Sequence, residues 1–71
     1  MKSYAKQWRT LNTSWPDEGD VIHIIYEAPE DEGKVIRNVH FTVDRYGNGT
    51  FIKVRAEFSE DYITGWKYAQ E

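Results

Sequence analysis

The chain contains no cysteine, so neither a disulfide framework nor a thiolate metal site can reinforce it. It has no internal repeat, no low-complexity segment and no linker. No apolar run reaches the length of a membrane span. The charged opening Met1-Lys2-Ser3-Tyr4-Ala5-Lys6 is not followed by the apolar stretch of a signal peptide. The expected location is therefore the cytoplasm, and the glycosylation-like triplets Asn12-Thr13-Ser14 and Asn48-Gly49-Thr50 are read as coincidental. A basic excess is missing too. The net charge of −3 speaks against a generic nucleic-acid binder and falls short of the acidity of a DNA mimic.

What is present is aromatic. Three Trp, five Tyr and three Phe in 71 residues supply large buried areas per side chain, which suits a chain with room for one thin core. A single domain over residues 1–71 is expected, near the size at which one core only just suffices.

The strongest local pattern runs from Val35 to Phe58. In Val35–Val43 apolar residues recur mostly at odd positions, and in Phe51–Phe58 mostly at even ones. Period-two alternation gives each run one core face and one wet face. Between them Tyr46-Gly47-Asn48-Gly49 offers residues that tolerate positive φ, so the pair reads as a hairpin. Two registers are open. A turn on Gly47-Asn48 pairs Val43 with Ile52, Phe41 with Val54 and Val39 with Ala56. A turn on Asn48-Gly49 pairs Val43 with Val54 and Asp44 with Lys53. Both put Val39, Phe41, Val43, Ile52, Val54 and Ala56 on one face, because they differ by two positions.

Elsewhere, Tyr4, Trp8 and Leu11 have helical spacing after Ser3, but Arg9–Thr13 is rich in poor helix formers and Trp15-Pro16 disfavours helix. A mostly extended N-terminal segment is the favoured reading. Pro16-Asp17-Glu18-Gly19-Asp20 reads as a turn. Val21–Ala28 is apolar on both faces, as in a central strand. The charged stretch Pro29–Lys34 reads as a solvated loop. With Ala28 opposite Val35, Ile22, Ile24 and Tyr26 would join the core face of the hairpin, leaving Val21, Ile25, Ile36 and Phe51 on the second face. Tyr62–Tyr68 fits a strand or a short helix capped by Ser59; Thr64 and Gly65 favour the strand. The expected architecture is mainly β: one small antiparallel sheet of four or five strands built on the 35–58 hairpin, with one short terminal helix as a variant.

The frame Trp8…Pro16…Gly19, a Val21-led strand, Phe51 and the closing Ile63-Thr64-Gly65-Trp66 resembles a family of small Trp-bearing phage and prophage proteins of unknown function. Its members open with Trp and a proline-containing turn and close with an Ile-Thr-His-Trp-like strand. The resemblance spans most of the chain on short motifs. Gly65 stands where the family has His, and the family's proline-rich tail is missing, so no role for that His carries over. The resemblance implies a mobile-element origin and a small β-sheet fold, and it implies no activity.

Enzymatic chemistry finds little footing. Ser3, Ser14 and Ser59 lie in no strand-turn-helix nucleophile context, and a domain this small has little room for a substrate cleft. His23, His40 and Glu57 would form a two-His-one-carboxylate set only if two uncertain registers hold together. No catalytic residue, metal or cofactor is therefore expected. Binding is the better reading, with Trp15, Tyr46, Lys53, Arg55 and Trp66 as candidate contacts. Tryptophan and tyrosine dominate binding hot spots, and exposed edges permit strand pairing. The leading expectation is a non-enzymatic phage accessory protein that occludes a host defence or regulatory protein, with homodimerisation as a companion. The alternative is a β-domain for single-stranded nucleic acid, using the strand residues Arg37, His40, Lys53 and Arg55 with Phe51, Trp8, Trp15, Trp66 and Tyr46 as stacking surfaces. Arg37, assigned to the apolar face, counts against it.

Overall fold

Five strands form one open antiparallel sheet in the computed structural model, which describes residues 8–30 and 33–70. Strands β1 (Val21–Tyr26), β2 (Lys34–Val43), β3 (Gly49–Lys53) and β4 (Ala56–Phe58) succeed one another as a meander. A 3-10 turn at Glu60–Tyr62 leads into β5 (Ile63–Tyr68), which returns to the far side of β1 and gives the order β4-β3-β2-β1-β5. The two-faced apolar strand β1 is thus flanked on both sides, as its sequence requires. Asp17–Asp20 forms the expected turn, closed by the Asp20 N–H on the Asp17 carbonyl at 3.0 Å. One face carries the core: Ile22, Ile24, Val39, Phe41, Phe51, Ile63 and Trp66 are buried, with Leu11, Tyr26, Ile36, Phe58 and Tyr68 at its margin.

The hairpin register differs from both expected ones. Val43 pairs with Gly49, Phe41 with Phe51 and His40 with Ile52. The reason is Asp44. Its carboxylate accepts the Tyr46 and Asn48 N–H groups at 2.8 and 2.9 Å, and its own N–H reaches the Asn48 carbonyl at 3.0 Å. An Asp that caps its own loop closes a five-residue turn where a two-residue one was expected. The partner of Val43 moves from Ile52 to Gly49, an odd number of positions, which exchanges the faces of the following strand. Phe51 is therefore fully buried, while Val54 is 86% exposed and Ala56 is exposed. The expected single strand 51–58 is also two strands, turning at Val54-Arg55 so that Lys53 pairs with Ala56.

A second parity change lies in β2. Pairing with β1 passes from Ile22 opposite Val39 to Ile24 opposite Ile36, leaving His23 to face both Arg37 and Asn38. Asn38 has φ 61°, the left-handed region that asparagine tolerates better than most residues, and the extra residue makes a β-bulge. The bulge turns Ile36 toward the core and Arg37 outward, reversing the expected placement of both. The expected pairing of Ala28 with Val35 is replaced by Ile25 with Val35.

Both readings of the C-terminal segment contain part of the outcome. Ser59 does cap a turn, its Oγ accepting the Asp61 N–H at 3.2 Å, but the turn is a single 3-10 turn and the strand follows at once. An irregularity between Ile25 and Tyr26 leaves Thr64 unpaired, so Ile63 and Trp66 both point into the core.

The N-terminal segment closes the core. Arg9 pairs with Trp66 on the outer edge of β5 through two backbone bonds of 2.7 and 2.8 Å. A turn over Thr10–Thr13 follows, and the Trp66 indole Nε1–H donates to the Ser14 carbonyl at 3.1 Å. Trp15 then lies on Phe41 and Phe51, each ring centroid 5.9 Å away. It sits over Gly49, where an added Cβ would meet Phe41 at 2.7 Å and Trp15 at 3.0 Å. From Trp8 onward the segment is extended and then turned, not helical; Ser3 and Tyr4 lie outside the described residues.

Two expectations follow for stability. Trp66→Phe removes the indole donor, strands the Ser14 carbonyl and opens a cavity, a loss of about 2–4 kcal/mol that denaturant unfolding would read. Val54 holds φ 56°, a region costly for a β-branched residue. Val54→Gly should raise stability by about 1 kcal/mol, seen as a higher denaturant midpoint; a lowered midpoint would mean that the valine is unstrained.

Candidate functional site

Two surfaces hold side chains that the fold leaves unspent. The first is the rim at the β2–β3 turn. Trp15 is 43% exposed although its ring rests on Phe41 and Phe51, so an aromatic edge is presented on a stiff support. Val43, also 43% exposed, lies in the strand beside Gly49, over which Trp15 sits. Tyr46 stands at the tip of the turn, 79% exposed, with the Arg45 guanidinium 6.0 Å from its ring centre. The same Asp44 hydrogen bonds that shape the turn hold this tip. Those from Asn48 above all keep the Asp44 carboxyl below its ordinary pKa.

The second surface is the outer face of the sheet, opposite the core. His23 on β1 lies across from Lys67 on β5 and from the Arg37-Asn38 bulge on β2. Lys67 Nζ sits 4.7 Å from the centre of the Trp8 ring, a cation–π distance. A Cβ added at Gly65 would lie 3.2 Å from Ile25 Cδ1 and 3.7 Å from Trp8 Cβ. Among the described residues, no carboxylate pairs with Arg37, Lys53 or Lys67. Of the strand charges, Arg37, Lys67 and the acid Glu57 lie on this face, while Lys34 and Lys53 have the parity of the core-side residues Ile36 and Phe51. The other described acids sit in turns and loops.

Of the expected contacts, Trp15 lies over Gly49 at the base of the β2–β3 turn and Tyr46 stands at its tip. Lys53 is half-buried at the far end of β3 and Arg55 is exposed in the β3–β4 turn, so they form a separate group. Trp66 is a correction. It is 1% exposed, because its indole serves the core and the N-terminal segment, and no partner can reach it. Trp8 and Arg37 belonged to the nucleic-acid alternative, whereas Lys67, packed against Trp8, was missed. Lys67 and Trp8 carry no local signal that joins them, and Arg37 was misplaced by the bulge. The conceived His23–His40–Glu57 set is dispersed: His40 pairs with Val21 and Ile52, and Glu57 lies one strand further out. Among the described residues, no three His, Asp or Glu side chains come together in a metal-holding group.

His23 is 9% exposed, and its Nδ1 accepts the Asn38 N–H at 3.1 Å. That ring nitrogen must be unprotonated, so the neutral form is the one the bulge uses. Burial lowers the His23 pKa first, and the positive charges of Arg37, Lys67 and Lys53 lower it further.

Comparison with protein-family models, with curated proteins and with solved structures found no match. Among the described residues no helix is long and apolar enough to cross a membrane.

The lowered His23 pKa makes stability depend on pH. The unfolded chain binds the proton first, so His23's contribution is complete above its ordinary value of 6.5 and is lost as pH falls through the folded value. Between pH ~7 and ~5 the wild type should lose stability at up to about 1.4 kcal/mol per pH unit. His23→Gln should flatten that slope in thermal melts across the same range. An unchanged slope would assign the effect to another group.

Proposed function

We propose that this protein is a non-enzymatic binding domain whose partner is another protein, engaged through the Trp15–Val43–Tyr46 rim. The observation that supports this reading most is the exposure of two aromatic side chains on a firm base: Trp15 is 43% and Tyr46 79% exposed, one stacked on core rings and the other on a hydrogen-bonded turn. Preformed aromatic anchors lose little entropy on binding and recur at hot spots. In line with the resemblance to phage and prophage proteins, the partner is a host defence or regulatory protein in the bacterial cytoplasm, and binding occludes it. Pairing of a second copy along the short outer edge of β4 is a companion to this reading, since a sheet edge offers unpaired backbone groups.

The test compares tagged wild type with Tyr46→Ala and Trp15→Ala in pull-downs from bacterial lysate, with and without nuclease, read by mass spectrometry. A stoichiometric protein should survive nuclease, and Tyr46→Ala should weaken its capture by about thirtyfold, the effect of losing a hot-spot residue. Tyr46 has no role in the core, so that loss would not reflect unfolding. Capture that ignores both substitutions, or that vanishes with nuclease, would overturn the reading.

A further inference from the structure

The outer face is a second surface, independent of the rim. Its central row crosses three strands: Arg37 beside the bulge on β2, His23 on β1 and Lys67 on β5. With strands ~4.8 Å apart, Arg37 and Lys67 start about 10 Å from each other. Lys53 has the parity of the buried Phe51 and lies on the core side at the end of β3, so it is not part of this row. Trp8, 37% exposed, forms the border beyond Lys67. His40 is exposed on the same face, one row along beside Ile52. Uncompensated cations with an aromatic border are what a nucleic-acid backbone and its bases require together.

We propose that this face binds single-stranded nucleic acid, with Arg37 and Lys67 on phosphates and Trp8 as a stacking platform for a base. A single strand fits better than a duplex. The face is small, its aromatic ring is useful only against an unstacked base, and the acids of the surrounding loops repel a wide polyanion. The overall charge of −3 does not oppose this, because the described acids are almost all off the strands. An acidic protein segment would satisfy the cations but would leave Trp8 without a role.

The experiment is fluorescence anisotropy with a labelled oligothymidylate, using the full chain. Two phosphate contacts predict a slope of about −1.4 for log K against log salt, or roughly sevenfold weaker binding between about 50 and 200 mM salt. Arg37→Gln and Lys67→Gln should each reduce that slope by about 0.7. Trp8→Ala should weaken binding at least about fivefold at fixed salt, the low end of a lost base stack. Tyr46→Ala should leave binding unchanged, which separates this face from the rim. Circular dichroism melts keep loss of fold from passing as loss of binding. The proposal is overturned if the oligonucleotide does not bind at about 50 mM salt, or if the slope ignores both Gln variants. Polyglutamate competing as well as the oligonucleotide, with no effect of Trp8→Ala, would overturn it too, leaving only a general anion surface.

Discussion

Trp66 is the side chain on which the rest of this small structure depends. Its ring is the largest fully buried side chain, its backbone pairs with Arg9, and its indole holds the Ser14 carbonyl. Two backbone bonds and one indole bond thus bring the chain's first described residues onto its last strand. The arrangement answers a problem of size. A sheet this short has one core face and too little chain for a second layer, so a strap of irregular backbone must cover it. That strap carries polar groups that need partners if they are not to face apolar rings. Trp66 meets both demands, supplying apolar area and the donor. The Arg9 guanidinium closes over it, 5.3 Å from the Trp66 ring centre and 4.9 Å from that of Tyr68. The same pairing covers the outer edge of β5, while the other edge, β4, is kept to three residues.

The strands themselves were largely legible. Alternation located β2, an apolar run on both faces located β1, Thr64 and Gly65 favoured a strand over a helix for β5, glycine and asparagine located the hairpin, and Pro16 to Asp20 located a turn. What alternation could not convey was phase. Three residues reset it: Asp44 lengthens a turn, Asn38 inserts a bulge, and Thr64 drops out of the ladder. Each exchanges inside for outside along one side of its strand, which is why Phe51 and Ile36 were expected outward and Val54 inward. Asp44 left a readable signal, since an Asp before Gly47-Asn48 is a self-capping turn. Asn38 left a weaker one, a residue tolerant of positive φ within an apolar strand. Trp66 left none, because its burial comes from a segment more than fifty positions away in the sequence.

The bulge also alters how the charge should be understood. Composition averages over the whole surface, and a value of −3 hides its division between acidic connections and basic strands. Had β2 run without a bulge, Arg37 would have been driven into the core, a buried cation without a partner and a costly arrangement. One extra residue moves it to the opposite face, across His23 from Lys67. A local backbone irregularity thereby decides both whether the core is apolar and whether the outer face is cationic.

His23 joins these two consequences. A bulge frees a backbone N–H from the ladder, and in a buried place that group needs an acceptor. Nδ1 of His23 is the acceptor of the Asn38 N–H, which requires the ring to stay neutral. Burial favours the neutral form, and the cations that the bulge helps to gather favour it again. An acid at this position would accept the same bond, but it would also neutralise the neighbouring charges. Histidine satisfies the bulge and leaves the positive field of Arg37 and Lys67 undiminished, so two of the groups that stabilise its neutral form are also the ones that remain free to attract an anion.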